Sequence, residues 1–327
     1  MKVAVTDYIE DNLDWEAAEL KKAGIDFAAF QLKFKPEEEV AAAIRDAEVV
    51  LVNMVKFTDS LLARLPNLKL LIRHGIGYDN VDVAACTRHG VVFAYQPDYA
   101  VEDVAEHAIA LILACARKVP ASRRTLEESS KTGQWDFSKL FPLYRMKGKT
   151  LGVIGAGRIG GTLIQRLASF GFRIIANDPY LSEKRKAALG VPFVEKETLF
   201  RESDFVTVHT PLNPETHYIV NAKTLALMKP TAYVINTSRG GMVDAVALAA
   251  ACKSSQIAGA AIDVYEVEPP PLDHPLFGLD NVILTPHLGW ASVESGDQIR
   301  KSILDDILLY AQGKPARNVV NKELLKK

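Results

Sequence analysis

The stretch GVIGAGRIGG, residues 152–161, places Gly155, Gly157 and Gly160 after an apolar run and at the start of a helical pattern. Each glycine then has its own task. The first permits a tight turn, the second lets the backbone approach a diphosphate, and the third lets helix and strand pack closely. The free N–H groups at the start of the helix face the negative charge. The stretch therefore predicts a dinucleotide-binding βαβ unit.

The next apolar run, FRIIAN at 172–177, ends at Asp178. This is close to the interval of about twenty residues expected for a ribose-binding acid. A carboxylate there accepts hydrogen bonds from a 2′-hydroxyl and repels a 2′-phosphate, so the sequence favours NAD over NADP. Alternatively, Asp178 only forms a turn before Pro179. Arg158 and Ile159, which open the helix, complete the predicted cofactor turn.

Short apolar strands alternate with helical stretches on both sides of this unit. Such alternation is typical of parallel sheets with crossover helices, and the Val- and Ile-rich strands suit sheets covered on both faces. The sequence predicts an α/β fold of two doubly wound parallel-sheet domains, Rossmann-like or flavodoxin-like, with the active site in the cleft between them. We expect a discontinuous substrate-binding domain, 1–99 plus 291–327, and a NAD-binding domain, 100–290.

The composition restricts the partners of the protein. Its 327 residues include 39 basic and 40 acidic side chains, without a basic run that would form a nucleic-acid or membrane surface. The most apolar run, 108–116, is too short to span a bilayer, and acidic residues stand where an export signal needs its apolar centre. Widely spaced cysteines without a C-x-x-C pair fit a reducing cytoplasm and suggest no metal site. We expect a cytoplasmic protein with a small-molecule partner.

Three ionisable residues of different type follow apolar strands of the second series, namely Arg239, Glu268 and His287. In an open α/β sheet the carboxyl ends of the strands line the ligand crevice, so these side chains are expected to meet there. Hydride transfer to a carbonyl needs a proton for the oxygen, and a histidine beside a carboxylate is suited to supply it. An arginine binds a carboxylate at two points. Taken singly, each residue also suits a surface loop.

The order of the motifs resembles the D-isomer-specific 2-hydroxyacid dehydrogenase family over nearly the whole chain. The matching motifs are RHGIGYDN (73–80), VAEHAIALILA (104–114), GVIGAGRIGG, VHTPLNPET (208–216), NTSRGGMVD (236–244), DVYEVEPP (263–270) and TPHLG (285–289). The resemblance implies that Arg239 binds the substrate carboxylate and that Glu268 supports the histidine. It implies that His287 is the general acid in reduction and the base in oxidation.

The resemblance also assigns residues to the two ligands. Those at the substrate are Gly75, Ile76 and Gly77, through their backbone N–H groups, and Trp290. Those at NAD are His209, Thr210 and Pro211 beside the adenosine diphosphate, Thr237 near the nicotinamide ribose, and Asp263 at the carboxamide. A buried Asp263 would otherwise be unpaired, which is costly. On the residues alone, RHGIGYDN suits an anion-binding nest and a plain turn equally well.

The helical pattern 102–119 is apolar on most faces, so we expect it to lie between domains or between subunits. As in the family it resembles, the helix that starts near Glu102 would pack at a twofold homodimer interface. The family resemblance favours a small 2-oxo or 2-hydroxy acid, such as glyoxylate, hydroxypyruvate or pyruvate, as the substrate.

Three alternatives remain open. The first is a formate dehydrogenase of the same superfamily. Such an enzyme carries Gln at the position where this chain has Glu268, so this residue counts against it. The second is a NAD(H)-sensing protein similar to the C-terminal-binding-protein corepressors. Trp290 and the sequence of the RHGIGYDN motif favour this alternative. Phosphoglycerate dehydrogenase requires cations for a second negative charge, and Lys56 and Arg73 are candidates for that contact.

Overall fold

The structure is a computed structural model that describes residues 1–326. The chain divides into two compact units. Unit 1 comprises Met1–Ala100 and the residues from Ser292 onward, and unit 2 comprises Val101–Ala291. Each unit is built on one parallel sheet. The predicted fold class, two doubly wound α/β domains, is confirmed.

Strands and helices alternate in the first part of unit 1. The strands are β1 (Lys2–Val5), β2 (Asp26–Ala29), β3 (Val49–Val52), β4 (Leu70–Arg73) and β5 (Val92–Ala94). The helices are α1 (Asp14–Lys22), α2 (Glu37–Ile44), α3 (Asp59–Leu62) and α4 (Val83–Arg88). The parallel strands follow the order β2-β1-β3-β4-β5, which is the flavodoxin-like order.

Unit 2 repeats the alternation with a larger sheet. The strands are β6 (Thr150–Ile154), β7 (Arg173–Asn177), β8 (Phe205–Val208), β9 (Tyr233–Asn236), β10 (Gly259–Ile262) and β11 (Val282–Leu284). The helices are α5 (Val101–Ala116), α6 (Val119–Thr132), α7 (Arg158–Leu167), α8 (Glu183–Leu189), α9 (Lys196–Glu202), α10 (Ala222–Leu225) and α11 (Ala245–Lys253).

The sheet of unit 2 has the order β11-β10-β9-β8-β6-β7, and its strands are parallel. Beyond β7, Ala176 forms a parallel bridge with Phe193. If this bridge is counted as a reduced third strand, the order becomes the Rossmann order 3-2-1-4-5-6 with one further strand. The direction of winding reverses between β6 and β8, which is where such sheets bind dinucleotides.

The last helix, α12 (Val293–Ala311), belongs to unit 1. Its residues Ile299, Ile303 and Ile307 are buried and spaced four residues apart, so they lie on one face. That face joins the apolar cluster that covers one side of the sheet of unit 1. Unit 1 is therefore discontinuous in sequence.

Helix α5 packs within its own unit. Its buried residues, which include Ala105, Ala108 and Ile112, join the apolar cluster of the unit 2 sheet and contact α7, β9 and β10. The buried face of α5 is therefore covered within unit 2, and its place between domains or subunits stays a prediction. The helix also ends at Ala116, earlier than predicted, and Lys118 adopts a left-handed φ of 50° before α6 begins.

The segment that follows α5 is exposed. Helix α6 contains no buried residue. After it, the exposed rings of Trp135, Phe137 and Phe141 contact one another, with successive centroids 6.5 and 6.1 Å apart. We call residues 119–146 the aromatic arm.

No helix within residues 1–326 is both long enough and apolar enough to cross a bilayer. The described chain also brings together no group of three or more His, Cys, Asp or Glu side chains that would hold a metal ion. Cys86, Cys115 and Cys252 are buried, and burial raises the pKa of each thiol to about 12. These thiols are therefore protonated at neutral pH.

Candidate active site

The glycine turn after β6 is shaped by close backbone contacts. Gly155 has a φ of 85°, and a Cβ there would lie 2.6 Å from both the carbonyl oxygen of His209 and Cγ2 of Thr210. A Cβ at Gly160 would lie 2.0 Å from the carbonyl oxygen of Gly155. Both positions therefore exclude a side chain. Gly157 differs, since no atom lies within 4 Å of a Cβ built there, so packing alone does not explain its glycine.

The start of α7 offers unused hydrogen-bond donors. The backbone N–H groups of Gly157 and Ile159 have no acceptor within residues 1–326. The start of a helix carries a positive partial charge of about half a unit. Open space at Gly157 beside free donors therefore fits a diphosphate group.

Asp178 follows β7 and forms a turn. Its Oδ1 accepts the N–H groups of Tyr180 and Leu181 at 3.1 and 3.0 Å, and its Oδ2 accepts the N–H of Ala156 at 3.0 Å. The carboxylate thus ties the glycine turn to the turn after β7. A carboxylate has about four acceptor sites, so Asp178 can still accept a hydroxyl donor. Turn formation and ribose binding are compatible here.

Two buried polar atoms without partners in the described chain lie just after β8 and β9. They are Nδ1 of His209 and Oγ1 of Thr237. Burial lowers the pKa of His209 to about 4, so its ring is neutral, with Nε2 2.9 Å from Oγ1 of Thr207. In the same loop the carbonyl of Pro211 accepts the hydroxyl of Thr216 at 2.7 Å. Because orphaned buried polar groups are rare, these two atoms support a ligand beside the glycine turn.

Arg239 lies in the loop after β9. Its Nη1 donates to the carbonyl oxygen of Ser238 at 2.9 Å. The next residue, Gly240, allows a close approach, because a Cβ there would lie 2.0 Å from the carbonyl carbon of Tyr265. The loop of Arg239 is therefore packed on the loop that leads to Glu268.

Glu268 and His287 form a direct pair. Oε2 of Glu268 lies 2.8 Å from Nδ1 of His287, and Oε1 accepts the N–H of Tyr265 at 3.0 Å. Burial raises the pKa of Glu268, but His287, the Tyr265 N–H and the charge of Arg239 together outweigh burial and lower it. Glu268 is therefore ionised at neutral pH. Since Nδ1 of His287 faces this carboxylate, Nε2 is the ring nitrogen left for a ligand.

The backbone at His287 is strained. Its φ of 57° lies in the left-handed region, which few residues other than glycine adopt. Asp263 holds this turn at three points. Its carbonyl accepts the N–H of His287 at 2.7 Å, Oδ1 accepts the N–H of Leu288 at 2.9 Å, and Oδ2 accepts the N–H of Gly289 at 2.9 Å. These bonds offset a backbone strain of about 1–3 kcal/mol.

Asp263 is fully buried but not unpaired, contrary to the expectation from the sequence. Its Oδ1 also accepts the hydroxyl of Thr285 at 2.5 Å and lies 3.3 Å from Nε2 of His107. Burial raises the pKa of Asp263, but His107, Thr285 and the N–H groups of Leu288 and Gly289 outweigh it and lower the pKa. His107 and Thr285 were not predicted as site residues from the sequence, although both stand in the quoted motifs. Only their contact with Asp263 identifies them.

In unit 1 the loop after β4 carries Gly75, Ile76 and Gly77. Their backbone N–H groups donate to no acceptor in the described part of the chain, and Gly75 has a φ of 150°. Free donors of this kind suit an anion-binding nest. Arg73 is buried beside the loop, where Nε donates to the carbonyl of Gly77 at 2.9 Å and Nη1 to Oδ1 of Asn53 at 3.1 Å. Arg73 therefore supports the loop from within the unit.

Two further residues adjoin these loops in sequence. Trp290 follows Gly289 and is half-buried, and its place at the substrate stays a prediction. His74 precedes Gly75, and its Nε2 lies 3.1 Å from Oε1 of Glu10. Burial raises the pKa of Glu10, but the hydrogen bond and charge of His74, with backbone donors, lower it to about 2.

The sequence profile described as D-isomer specific 2-hydroxyacid dehydrogenase, NAD binding domain, matches residues 109–289. The matched range contains the glycine turn, the Arg239 loop and the Glu268–His287 pair.

Individual proteins are similar over most of this chain. It is 37% identical over 322 residues to D-3-phosphoglycerate dehydrogenase of Archaeoglobus fulgidus, covering 98% of this chain and 59% of that protein. It is 38% identical over 286 residues to glyoxylate reductase of Thermococcus litoralis, covering 86% of this chain and 85% of that protein. The chain thus spans little more than half the length of the phosphoglycerate dehydrogenase relative.

Among solved structures, D-lactate dehydrogenase of Aquifex aeolicus, complexed with NAD and lactic acid, has a TM-score of 0.84 and 28% sequence identity. The similarity covers 99% of this chain and 97% of that one.

Proposed function

We propose that this chain, which belongs to the D-isomer-specific 2-hydroxyacid dehydrogenase family, is an NAD-dependent oxidoreductase. In this proposal it reduces the carbonyl of a small 2-oxo acid and, in reverse, oxidises the D-2-hydroxy acid. The observation that carries the proposal is the 2.8 Å contact between Glu268 and His287, in the same unit as a dinucleotide-type glycine turn. A paired imidazole suits the proton transfer that must accompany hydride transfer.

The residues around the glycine turn fit a nicotinamide dinucleotide. When bound, its nicotinamide ring supplies or accepts the hydride. We assign the free N–H groups at Gly157 and Ile159 to the diphosphate, and Asp178 to the adenosine ribose. Because a 2′-phosphate would meet the charge of Asp178, we propose NAD rather than NADP. The other residues assigned to the cofactor are Gly155, Arg158, Gly160, His209, Thr210, Pro211, Thr237 and Asp263.

His287 moves the proton. In reduction, the N–H at Nε2 of the charged ring donates to the substrate oxygen as that oxygen gains negative charge. The ionised Glu268 accepts from Nδ1 throughout, so it orients the ring and stabilises the positive charge. In oxidation, the neutral Nε2 takes the hydroxyl proton.

Arg239 binds the substrate carboxylate in this proposal. Its planar guanidinium can donate two parallel hydrogen bonds to a carboxylate. In unit 1, the free N–H groups of Gly75, Ile76 and Gly77 suit an anionic group. Trp290 is assigned to the substrate pocket on the family resemblance.

A small 2-oxo acid such as glyoxylate, hydroxypyruvate or pyruvate is the substrate class we favour. The Thermococcus litoralis relative, which matches over most of both chains, is named glyoxylate reductase. The 3-phosphoglycerate couple is the second candidate, because the Archaeoglobus fulgidus relative carries that name. Of the two cations considered for its phosphate, Lys56 is exposed, whereas Arg73 is buried and bonded within its own loop.

We further propose a cytoplasmic homodimer in which the aromatic arm takes part together with the exposed side of α5. The exposed Trp135, Phe137 and Phe141 form an apolar surface of the kind that marks protein interfaces. Light scattering of Trp135→Ser with Phe137→Ser, compared with the unaltered protein, tests this assignment. An unchanged dimeric mass would exclude the arm, and a monomeric unaltered protein would exclude the dimer.

The test of function is NADH oxidation by the purified protein with glyoxylate, hydroxypyruvate, pyruvate and 3-phosphohydroxypyruvate, with NADPH in parallel. We expect one of the small 2-oxo acids to turn over, and NADH to be preferred. His287→Asn should lower kcat by about a hundredfold or more, because general acid catalysis contributes that much. His89→Asn, in unit 1, is the matched control and should retain the rate. NADH binding without turnover of any acid would refute the proposal and favour the NAD(H)-sensing alternative.

A further inference from the structure

His107 has no part in the function proposed above. Its side chain nevertheless contacts Thr285 and Asp263, and Asp263 holds the turn at residues 287–289. Its Nε2 lies 3.1 Å from the hydroxyl oxygen of Thr285 and 3.3 Å from Oδ1 of Asp263. The hydroxyl of Thr285 in turn lies 2.5 Å from the same carboxylate oxygen. Three polar side chains from α5, the end of β10 and the loop after β11 therefore meet at one point.

The positions of the protons in this network follow from its members. The ionised Asp263 only accepts, so the single hydroxyl proton of Thr285 points to it. The oxygen of Thr285 is then an acceptor towards His107, and Nε2 of His107 must carry a proton. This holds for the neutral ring with its proton on Nε2 and for the charged ring. His107 is therefore a donor that faces two acceptors.

The network leads directly to the turn that carries His287. The carboxylate of Asp263 contacts His107 and Thr285. It also accepts the N–H groups of Leu288 and Gly289. The ring of His107 also packs beneath the turn, since its Cδ2 lies 3.7 Å from a Cβ built at Gly289. A change in the position of the carboxylate would therefore be passed on to the strained backbone at His287.

We propose that His107 is a positioning residue of the active site: it fixes the carboxylate of Asp263, which fixes the 287–289 turn and so aims Nε2 of His287. The proposal rests on the proposed function, because it gives His287 a catalytic task. The buried residues of α5 are otherwise apolar or a thiol, namely valine, alanine, leucine, isoleucine and cysteine. A histidine there adds no apolar burial and needs polar partners, and the partners it has are those that hold the turn.

The experiment compares His107→Leu with His107→Gln. Leucine removes the donor, whereas the side-chain amide of glutamine places an N–H group near the position of Nε2. His89→Leu is the matched control, because His89 also lies 3.1 Å from an aspartate, Asp59, but in unit 1. Amide hydrogen exchange, followed by mass spectrometry, measures how well the 287–289 turn is held and needs no catalytic turnover. Steady-state kinetics with NADH measures the effect on kcat.

We expect His107→Leu to raise the exchange rate of the peptide that covers 286–290 by about tenfold, because its amides lose a fixed acceptor. The peptide of α7, 158–167, should keep its rate. The kcat for reduction should fall by about tenfold or more, since a misplaced catalytic group costs that much. His107→Gln should restore most of both effects, and His89→Leu should show neither.

Unchanged exchange at 286–290 in His107→Leu would overturn the proposal. A rise in exchange across all of unit 2, or a loss of rate that glutamine does not rescue, would overturn it too, since His107 would then be a packing residue. Failure of the proposed function has a different signature. The unaltered protein would reduce no 2-oxo acid, while the exchange comparison would still report whether His107 holds the turn.

Discussion

Replacement of Gly157 by alanine separates what the fold requires from what the cofactor requires. Of the three glycines of the turn, only Gly157 has open space at its Cβ position. Its φ of −67° is within the range of alanine, but its ψ of −141° lies outside the allowed α and β regions, so an alanine there would strain the backbone. We therefore expect Gly157→Ala to cost about 1–3 kcal/mol of stability, the usual cost of one residue in a sparsely populated backbone region. For a unit of this size each 1 kcal/mol is a fall of about 2–4 °C in Tm.

The same methyl group should strongly weaken NADH binding. It would stand where a diphosphate must approach the free N–H groups of Gly157 and Ile159. Loss of one or two hydrogen bonds to a charged group costs about 3 kcal/mol, which corresponds to a rise in Kd of about a hundredfold. Gly160→Ala is the contrasting variant. Its Cβ would lie 2.0 Å from the backbone oxygen of Gly155, so the fold itself should be disrupted.

Fluorescence titration with NADH and thermal unfolding without NADH measure the two effects on the same samples. We expect Gly157→Ala to fold with a modestly lowered Tm and to lose NADH binding, and we expect Gly160→Ala to lose its cooperative unfolding. An unchanged Kd for Gly157→Ala would show that the turn does not hold a diphosphate. A loss of Tm as large as that of Gly160→Ala would show that the open space at Gly157 was misjudged.

Three further predictions follow from individual contacts. Glu268→Gln should lower kcat for reduction by about tenfold or more in steady-state assays, since the amide no longer stabilises a charged imidazole; an unchanged kcat would remove Glu268 from the mechanism. Asp178→Ser should lower the ratio of kcat/KM for NADH to that for NADPH by about tenfold, as a repulsive charge is lost. An unaltered ratio would leave Asp178 a turn former only. Glu10, with its pKa lowered from 4.5 to about 2, stabilises the fold above pH 4.5 and loses this effect as the pH falls through 2. In urea unfolding at pH 5.5, Glu10→Gln should be less stable by about 1–2 kcal/mol, discounted for residual exposure, and the difference should vanish near pH 2.

The sequence predicts most of the fold because its signals are local. The glycines of 155–160 follow a five-residue apolar strand and open a helix, and these contacts are set within a few residues. The reduced strand at Phe193 is not predictable in this way. It forms only one bridge with Ala176, and so short a segment carries no periodic pattern.

Helix α5 shows a second limit of what a sequence pattern predicts. A helix that is apolar on most faces predicts burial, but the pattern does not say what buries it. Here the α/β unit itself supplies α7, β9 and β10 as cover. The break at Lys118 depends on a single left-handed residue, for which lysine gives no signal.

In the candidate active site, the residue type predicts which interactions a side chain can make. Its tertiary contacts decide which of these interactions it makes. Asp178 and Arg73 show the difference. Asp178 was expected either to form a turn or to bind ribose, and its oxygens do the first while one acceptor site is left for the second. Arg73 was considered for a phosphate, but its guanidinium is held by Asn53 and Gly77. Neither outcome is encoded in the adjoining sequence, because the partners are up to about twenty residues away.

Two roles are proposed for the carboxylate of Asp263, namely holding the turn of His287 and accepting the carboxamide of the cofactor. The number of its acceptor sites allows both roles. Oδ1 is saturated, since Thr285, Leu288 and His107 all lie at it. Oδ2 has one donor, Gly289, and so retains an acceptor site for a further N–H group.

In the proposed function, an amide of the cofactor is assigned to Oδ2 while Oδ1 holds the turn of His287. The two ligands of one buried acid would then be coupled. A group bound at Oδ2 fixes the same carboxylate that fixes Leu288, so binding there should slow amide exchange in the 286–290 turn. Saturation with NADH should thus protect this turn in the unaltered protein and protect it less in His107→Leu, in which the acid has lost its other support.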